Sequence, residues 1–146
     1  MTPEKIFGLA NLVALASWVL LILARFIAPL RRWIDPLAGY VVPALFALVY
    51  AALMLPGAPG VLANNSFGSL QGVMALFAQP MPLTGGWIHY LAFDLFVGGW
   101  IARDSAAARV HPLIVVPILL FTFMFGPVGF LAYVLVRAVQ RKGAPQ

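Results

Sequence analysis

From Ile6 to Ala28 the chain runs for roughly 23 residues with Arg25 as the single charge, long and apolar enough to cross a bilayer as a tilted helix. Similar stretches follow to the C-terminus. Charged residues make up 9% of the 146 and hydrophobic ones 63%, whereas a soluble domain carries about 25% charged residues. No water-soluble fold hides that much apolar surface, so the expected class is an all-α integral membrane protein with one domain over residues 1–146. Ala14-Leu15-Ala16 mimics a signal cleavage triplet. The apolar run before it is short, and Lys5 is the only base ahead of it, so the segment reads as an uncleaved span.

Four transmembrane helices are expected, at about 6–28, 36–55, 84–104 and 112–137. Pro29 ends the first. Asp35-Pro36 reads as an N-cap followed by proline at the first helical position of the second, and Pro56-Gly57-Ala58-Pro59-Gly60 ends it. Pro117 and the cluster Gly126-Pro127-Val128-Gly129 predict a kink or local unwinding in the fourth. Between the second and third spans lies a long uncharged loop. Phe67, Leu70, Met74 and Phe77 fall there at helical spacing, which predicts a short interfacial helix over about 65–78. Four crossings put both termini on one side, with five bases on the opposite side against four, a slight lean under the positive-inside rule.

Nine Lys and Arg give a net charge of +5, but they stand at span ends, where bases snorkel to headgroups. They form no nucleic-acid face, and no nucleic-acid partner is expected. The absence of cysteine excludes disulfides, thiolate catalysis and Cys-ligated iron–sulfur centres. His89 and His111 belong to opposite sides, more than about 20 Å apart in depth, and cannot share one metal. A mononuclear site usually needs three protein ligands, and only His89 and Asp94 lie deep. No metal and no cofactor are therefore expected, with a haem held by His89 alone left open. No phosphate loop, nucleophile elbow or zinc signature is present.

Asp94 is the sharpest polar signal. It sits mid-span in Gly85-Gly86-Trp87-Ile88-His89-Tyr90-Leu91-Ala92-Phe93-Asp94-Leu95-Phe96, where a carboxylate costs on the order of 3 kcal/mol. Such a group serves a function or finds a polar partner on another helix. Four-span depth arithmetic places Asn11, Tyr50, His89, Asp94, Tyr133 and Arg137 in one half of the bilayer. A pocket open to one leaflet would need that asymmetry. Polar glue between helices, averaging below about 1 kcal/mol per contact, fits the same residues. His89 and Asp94 stand about 140° apart around their helix, so they flank a cleft or face different neighbours. His89 shares its stripe with Phe93 and Phe96; Asp94 shares its own with Trp87 and Tyr90.

The segment Trp87-Ile88-His89-Tyr90-Leu91-Ala92-Phe93-Asp94-Leu95-Phe96 resembles the signature of the plant abscisic-acid-deficient-four-like family, of the neoxanthin-synthase type. Asn11 with Trp18, the stretch Ser69-Leu70-Gln71-Gly72-Val73-Met74-Ala75-Leu76-Phe77, and Phe125-Gly126-Pro127-Val128-Gly129 are similar to the family's first span, loop helix and last span. Gln71 stands where relatives often carry an acid, and Gly99 where a base often follows. The resemblance implies a small membrane protein that binds or modifies a carotenoid or a similar apolar isoprenoid. With no transit-peptide-like stretch before the first span, a bacterial inner-membrane location is expected.

Family chemistry of this kind opens an epoxide and forms an allene, without net redox change or cofactor. The catalytic candidates it implies are Asp94 as acid and His89 as base. Asn11, Tyr50, Trp87, Phe93, Phe96 and Tyr133 are the expected binding residues. The alternatives are a pigment-binding protein without chemistry, a small subunit of a larger membrane complex, and an oligomer of this chain.

Overall fold

The computed structural model describes residues 1–64 and 66–142, and among these every regular element is helical. Helix α1 spans Pro3–Leu23. Helix α2 (Ala28–Pro36) runs through a π-helical turn, Leu37–Val41, into α3 (Val42–Met54). After a short 3-10 turn, Leu55–Gly57, come α4 (Ala58–Ala63) and α5 (Leu70–Phe77). The long α6 covers Pro80–Ala107, followed by α7 (Pro112–Phe125) and α8 (Pro127–Lys142). Two stretches are long and apolar enough to cross a membrane, Pro3–Leu23 and Ala28–Gly57, with mean hydropathy 2.4 and 2.0. Helix α6 has 28 residues, about 42 Å of rise.

Helix α6 is the axis of the molecule, and its glycines set how closely its neighbours approach. Trp18 of α1 lies on Gly98, and the side chain of Met54 in α3 lies on Gly85. Gly99 meets the backbone of Gly39, so close that a Cβ there would collide with the Gly39 Cα. Down α1, Asn11 reaches Trp87, Trp18 reaches Gly98 and Arg25 reaches Ala102, so α1 runs parallel to α6. Down α2 and α3 the order reverses: Asp35 meets Arg103, Tyr40 meets Phe96, Tyr50 meets His89. Pro3, Gly57 and Pro80 thus mark one end of the bundle, the upper end. Leu23, Ala28 and Ala107 mark the lower end.

The expected second span begins earlier than Asp35-Pro36. Pro29 sits in the first turn of α2, where its missing N–H is harmless, so it opens a helix rather than only closing one. Asp35 is inside that helix and buried. It forms an ion pair with Arg25, also buried, at 6% and 2% exposure. Arg25 donates further to the carbonyls of Ala102 at 2.6 Å and Leu21 at 3.2 Å. A base assigned to snorkelling is instead the centre of a closed polar network at the lower end.

The expected interfacial helix falls at Leu70–Phe77, capped by the Ser69 hydroxyl, which accepts from the Gly72 N–H at 3.1 Å. Its Phe77 packs onto Gly86 of α6, while Leu70 and Met74 are exposed. Asn65, in the expected range, lies outside the described residues.

The expected fourth span, 112–137, divides instead at Gly126. Gly126 has φ +41°, a conformation L-residues rarely adopt, and the chain doubles back through it. Gly129 then faces the backbone of Thr122, a contact that a kinked but continuous helix does not allow. Helix α7 rises from the lower end, antiparallel to α6, until Met124 lies beside Tyr90. Helix α8 returns parallel to α6, with Phe130 and Tyr133 on Trp100 and Arg137 on Asp104. The two make a half-length hairpin that starts and finishes at the lower end.

A candidate site above the helical hairpin

Because the hairpin turns at the level of Asp94, it covers only the lower half of the α1–α6 face. Asp94 is about 21 Å from Pro80 along α6 and about 20 Å from Ala107, close to mid-depth. Its carboxyl group faces Gly126, where a Cβ would stand 2.5 Å from Oδ1. Only glycine leaves room for an acid against the turn. The Oδ2 atom is buried and has no hydrogen-bond partner among the described residues. A buried acceptor left unpaired costs about 1–3 kcal/mol, so an orphan at this depth asks for a ligand, a proton or a water.

Above Asp94 an aromatic wall continues up the open face. The Tyr90 hydroxyl points to the Met124 carbonyl at 3.5 Å. Trp87 packs on Tyr90 with ring centroids 5.3 Å apart and on Phe7 at 5.7 Å. The indole N–H of Trp87 donates to Asn11 Oδ1 at 3.1 Å, and Asn11 in turn donates to the Phe7 carbonyl at 2.8 Å. That chain fixes the amide orientation and holds the indole upright. Trp87 remains 39% exposed. The face is a polar-tipped aromatic ladder with a carboxyl group at its foot.

The residues expected to form one cluster fall into three places. Asn11, Trp87 and Asp94 line the open face. His89, Tyr50 and Phe93 lie in the α3–α6 groove, with His89 centred 5.5 Å from Tyr50 and 4.7 Å from Phe93. Phe96 sits lower in that groove, against Tyr40. Tyr133 is elsewhere. It is fully buried at the lower end, where its hydroxyl donates to Asp104 Oδ2 at 2.5 Å beside Arg137. Its expected depth followed from a fourth crossing, and the reversal at Gly126 removes that premise. Of the two angular options for His89 and Asp94, the structure takes different neighbours, α3 for His89 and the hairpin for Asp94.

Tyr90 and Gly126 are the site residues that sequence reading missed as such. Tyr90 stands one turn before Asp94, a spacing that puts both on one stripe. Among the described residues no three His, Asp or Glu side chains converge on one point.

A sequence model of the family described as ABA DEFICIENT 4-like matches residues 5–133. The chain belongs to the ABA DEFICIENT 4-like family. The match reaches from α1 to the middle of α8 and so includes the hairpin turn and the whole open face. No curated protein and no solved structure matches the chain. Family membership together with the two long apolar helices makes this ABA DEFICIENT 4-like chain a membrane protein.

Proposed function

We propose that this protein binds a carotenoid or related isoprenoid from within the bilayer and isomerises an oxygenated end group at Asp94. Helices α1, α2–α3 and α6 would each cross the membrane, with the hairpin entering and leaving at the lower end. The ligand's chain lies in the upper leaflet along Phe7, Trp87 and Tyr90. Its oxygenated ring reaches down to the hairpin turn. The observation that carries this reading is the unpartnered Asp94 oxygen at the foot of an uncovered aromatic face. Aromatic walls with a few placed polar groups are the usual make-up of an apolar-ligand site.

The chemistry balances on one carboxyl group. Asp94, protonated, gives its proton to an epoxide oxygen as one C–O bond breaks, and a hydroxyl forms. The carboxylate then takes a proton from the neighbouring chain carbon as a new double bond forms. Substrate and product are isomers, and Asp94 ends as it began. His89, engaged with Tyr50 and Phe93 in the other groove, is assigned no proton in this scheme and is a contact for the ligand's far end or for lipid.

A second reading, pigment binding without chemistry, is favoured by that same separation of His89 from Asp94. Pigment profiles of cells that make epoxidised carotenoids, with and without this protein, separate the two. A new isomer that appears only with the protein supports the first reading. Unchanged pigments that co-purify with the protein support the second, and neither outcome removes both.

A further inference from the structure

We propose that the groove between the lower halves of α6 and α8 is a binding site for an anionic phospholipid, separate from the Asp94 face. The groove encloses about 260 Å³ and is lined by Trp100, Asp104, Val134, Arg137, Ala138 and Arg141. Its chemistry changes along its length. Arg137 and Arg141 stand one turn apart on α8, on one face. Arg137 donates from Nε to Asp104 at 2.7 Å. Arg141 is exposed and has no ion-pair partner among the described residues. Two guanidiniums against one carboxylate leave a positive charge at the mouth of the groove. One turn deeper the wall is apolar: Val134, and Trp100 stacked on Phe130 at 5.8 Å. A cationic mouth over an apolar wall fits an amphiphile with an anionic head, not a small ion.

The fold also selects the leaflet. Because the hairpin returns α8 to the lower end, every Lys and Arg except Lys5 now stands at that end. A four-crossing chain would have divided them almost evenly. By the positive-inside rule the lower end faces the cytoplasm, and the cytoplasmic leaflet is the one rich in anionic lipid. The phosphate lies on Arg141 and the Nη2 side of Arg137, whose Nη1 donates to Gln140 at 3.4 Å, with an acyl chain beside Trp100. A lipid so placed clamps α8, which does not itself cross the membrane, to α6.

The test uses the full chain purified in neutral detergent. Lipid retention by native mass spectrometry and melting temperature are measured with phosphatidylglycerol, with phosphatidylcholine of the same acyl chains, and with inorganic phosphate. Phosphatidylglycerol should be retained and should raise the melting temperature, and the other two should do neither. Arg141→Gln should weaken phosphatidylglycerol binding about fivefold, the effect of one basic residue at an anionic surface, and Arg141→Lys should restore it. Arg32→Gln removes an exposed arginine resting on Trp33 at the same end and should leave binding unchanged. Equal retention of phosphatidylcholine, equal stabilisation by phosphate alone, or indistinguishable Arg141→Gln and Arg32→Gln variants would overturn the proposal.

Discussion

Asp35 and Asp94 are both aspartates inside helices, and they are treated in opposite ways. Asp35 is held in an ion pair. Arg25 pairs with it, Arg103 donates to its backbone carbonyl at 3.2 Å and stacks over Tyr40, and Arg31 ties the preceding turn to Ala24. Asp94 has a glycine at its carboxyl group and an oxygen with no hydrogen-bond partner among the described residues. The first arrangement closes the lower end of the bundle around an ion pair. The second keeps an acid available beside an uncovered face. An acid held by a buried arginine ties structure together, and one with an oxygen left short of a bond is suited to a ligand.

The largest effect should come from breaking the buried ion pair. Asp35→Ala strands Arg25 in a buried position, and removing one partner of a buried pair costs about 3–5 kcal/mol. The expected outcome is loss of most folded protein, read by the yield of monodisperse material in detergent. Next comes the hinge that keeps Asp94 apart from other partners. Gly126→Ala forces an L-residue into positive φ, about 1–3 kcal/mol of strain, and drives a methyl group into the Asp94 carboxyl. A clear fall in melting temperature is expected, together with loss of ligand handling. Asp104 lies between the extremes, partly exposed and shared by Tyr133 and Arg137. Asp104→Asn keeps an acceptor for Tyr133 and loses a screened ion pair, about 1 kcal/mol or less. A small drop in melting temperature, abolished in high salt, would sharpen the contrast; a drop as large as that of Asp35→Ala would erase it. The smallest stability change should be at Asp94 itself. Asp94→Asn keeps the size of the side chain and an oxygen for the neighbouring Tyr90 hydroxyl, and should shift the unfolding free energy by roughly 0.5 kcal/mol or less.

Much of this was readable in the residues. Asp94 stood out because hydrocarbon makes any carboxyl group expensive, whatever the fold. The angle between His89 and Asp94 followed from helix geometry, and the structure gives them different neighbours. The helix near Leu70–Phe77 was visible from its spacing. The hairpin was not. Gly126-Pro127 breaks a helix whether the chain then continues or reverses, and local sequence does not distinguish the two. What decides the reversal is tertiary: Tyr133 and Arg137 find Asp104, more than two dozen residues away in sequence, and Gly129 fits against Thr122. Complementary charges at Asp104 and Arg137 were a usable hint, because four crossings would have put them on opposite faces. The Arg25–Asp35 pair was hidden for another reason. Asp35-Pro36 has the form of a helix start, and the true start at Ala28-Pro29 carries the same proline signal without a capping side chain.

The separation of roles between the aspartates comes to a point in one comparison, the pigment profile of cells carrying Asp94→Asn against wild type at matched levels of folded protein. The account predicts a variant that folds and melts like wild type and yields no isomerised carotenoid. A variant that forms the product at the wild-type rate, or one that fails to fold, would contradict it.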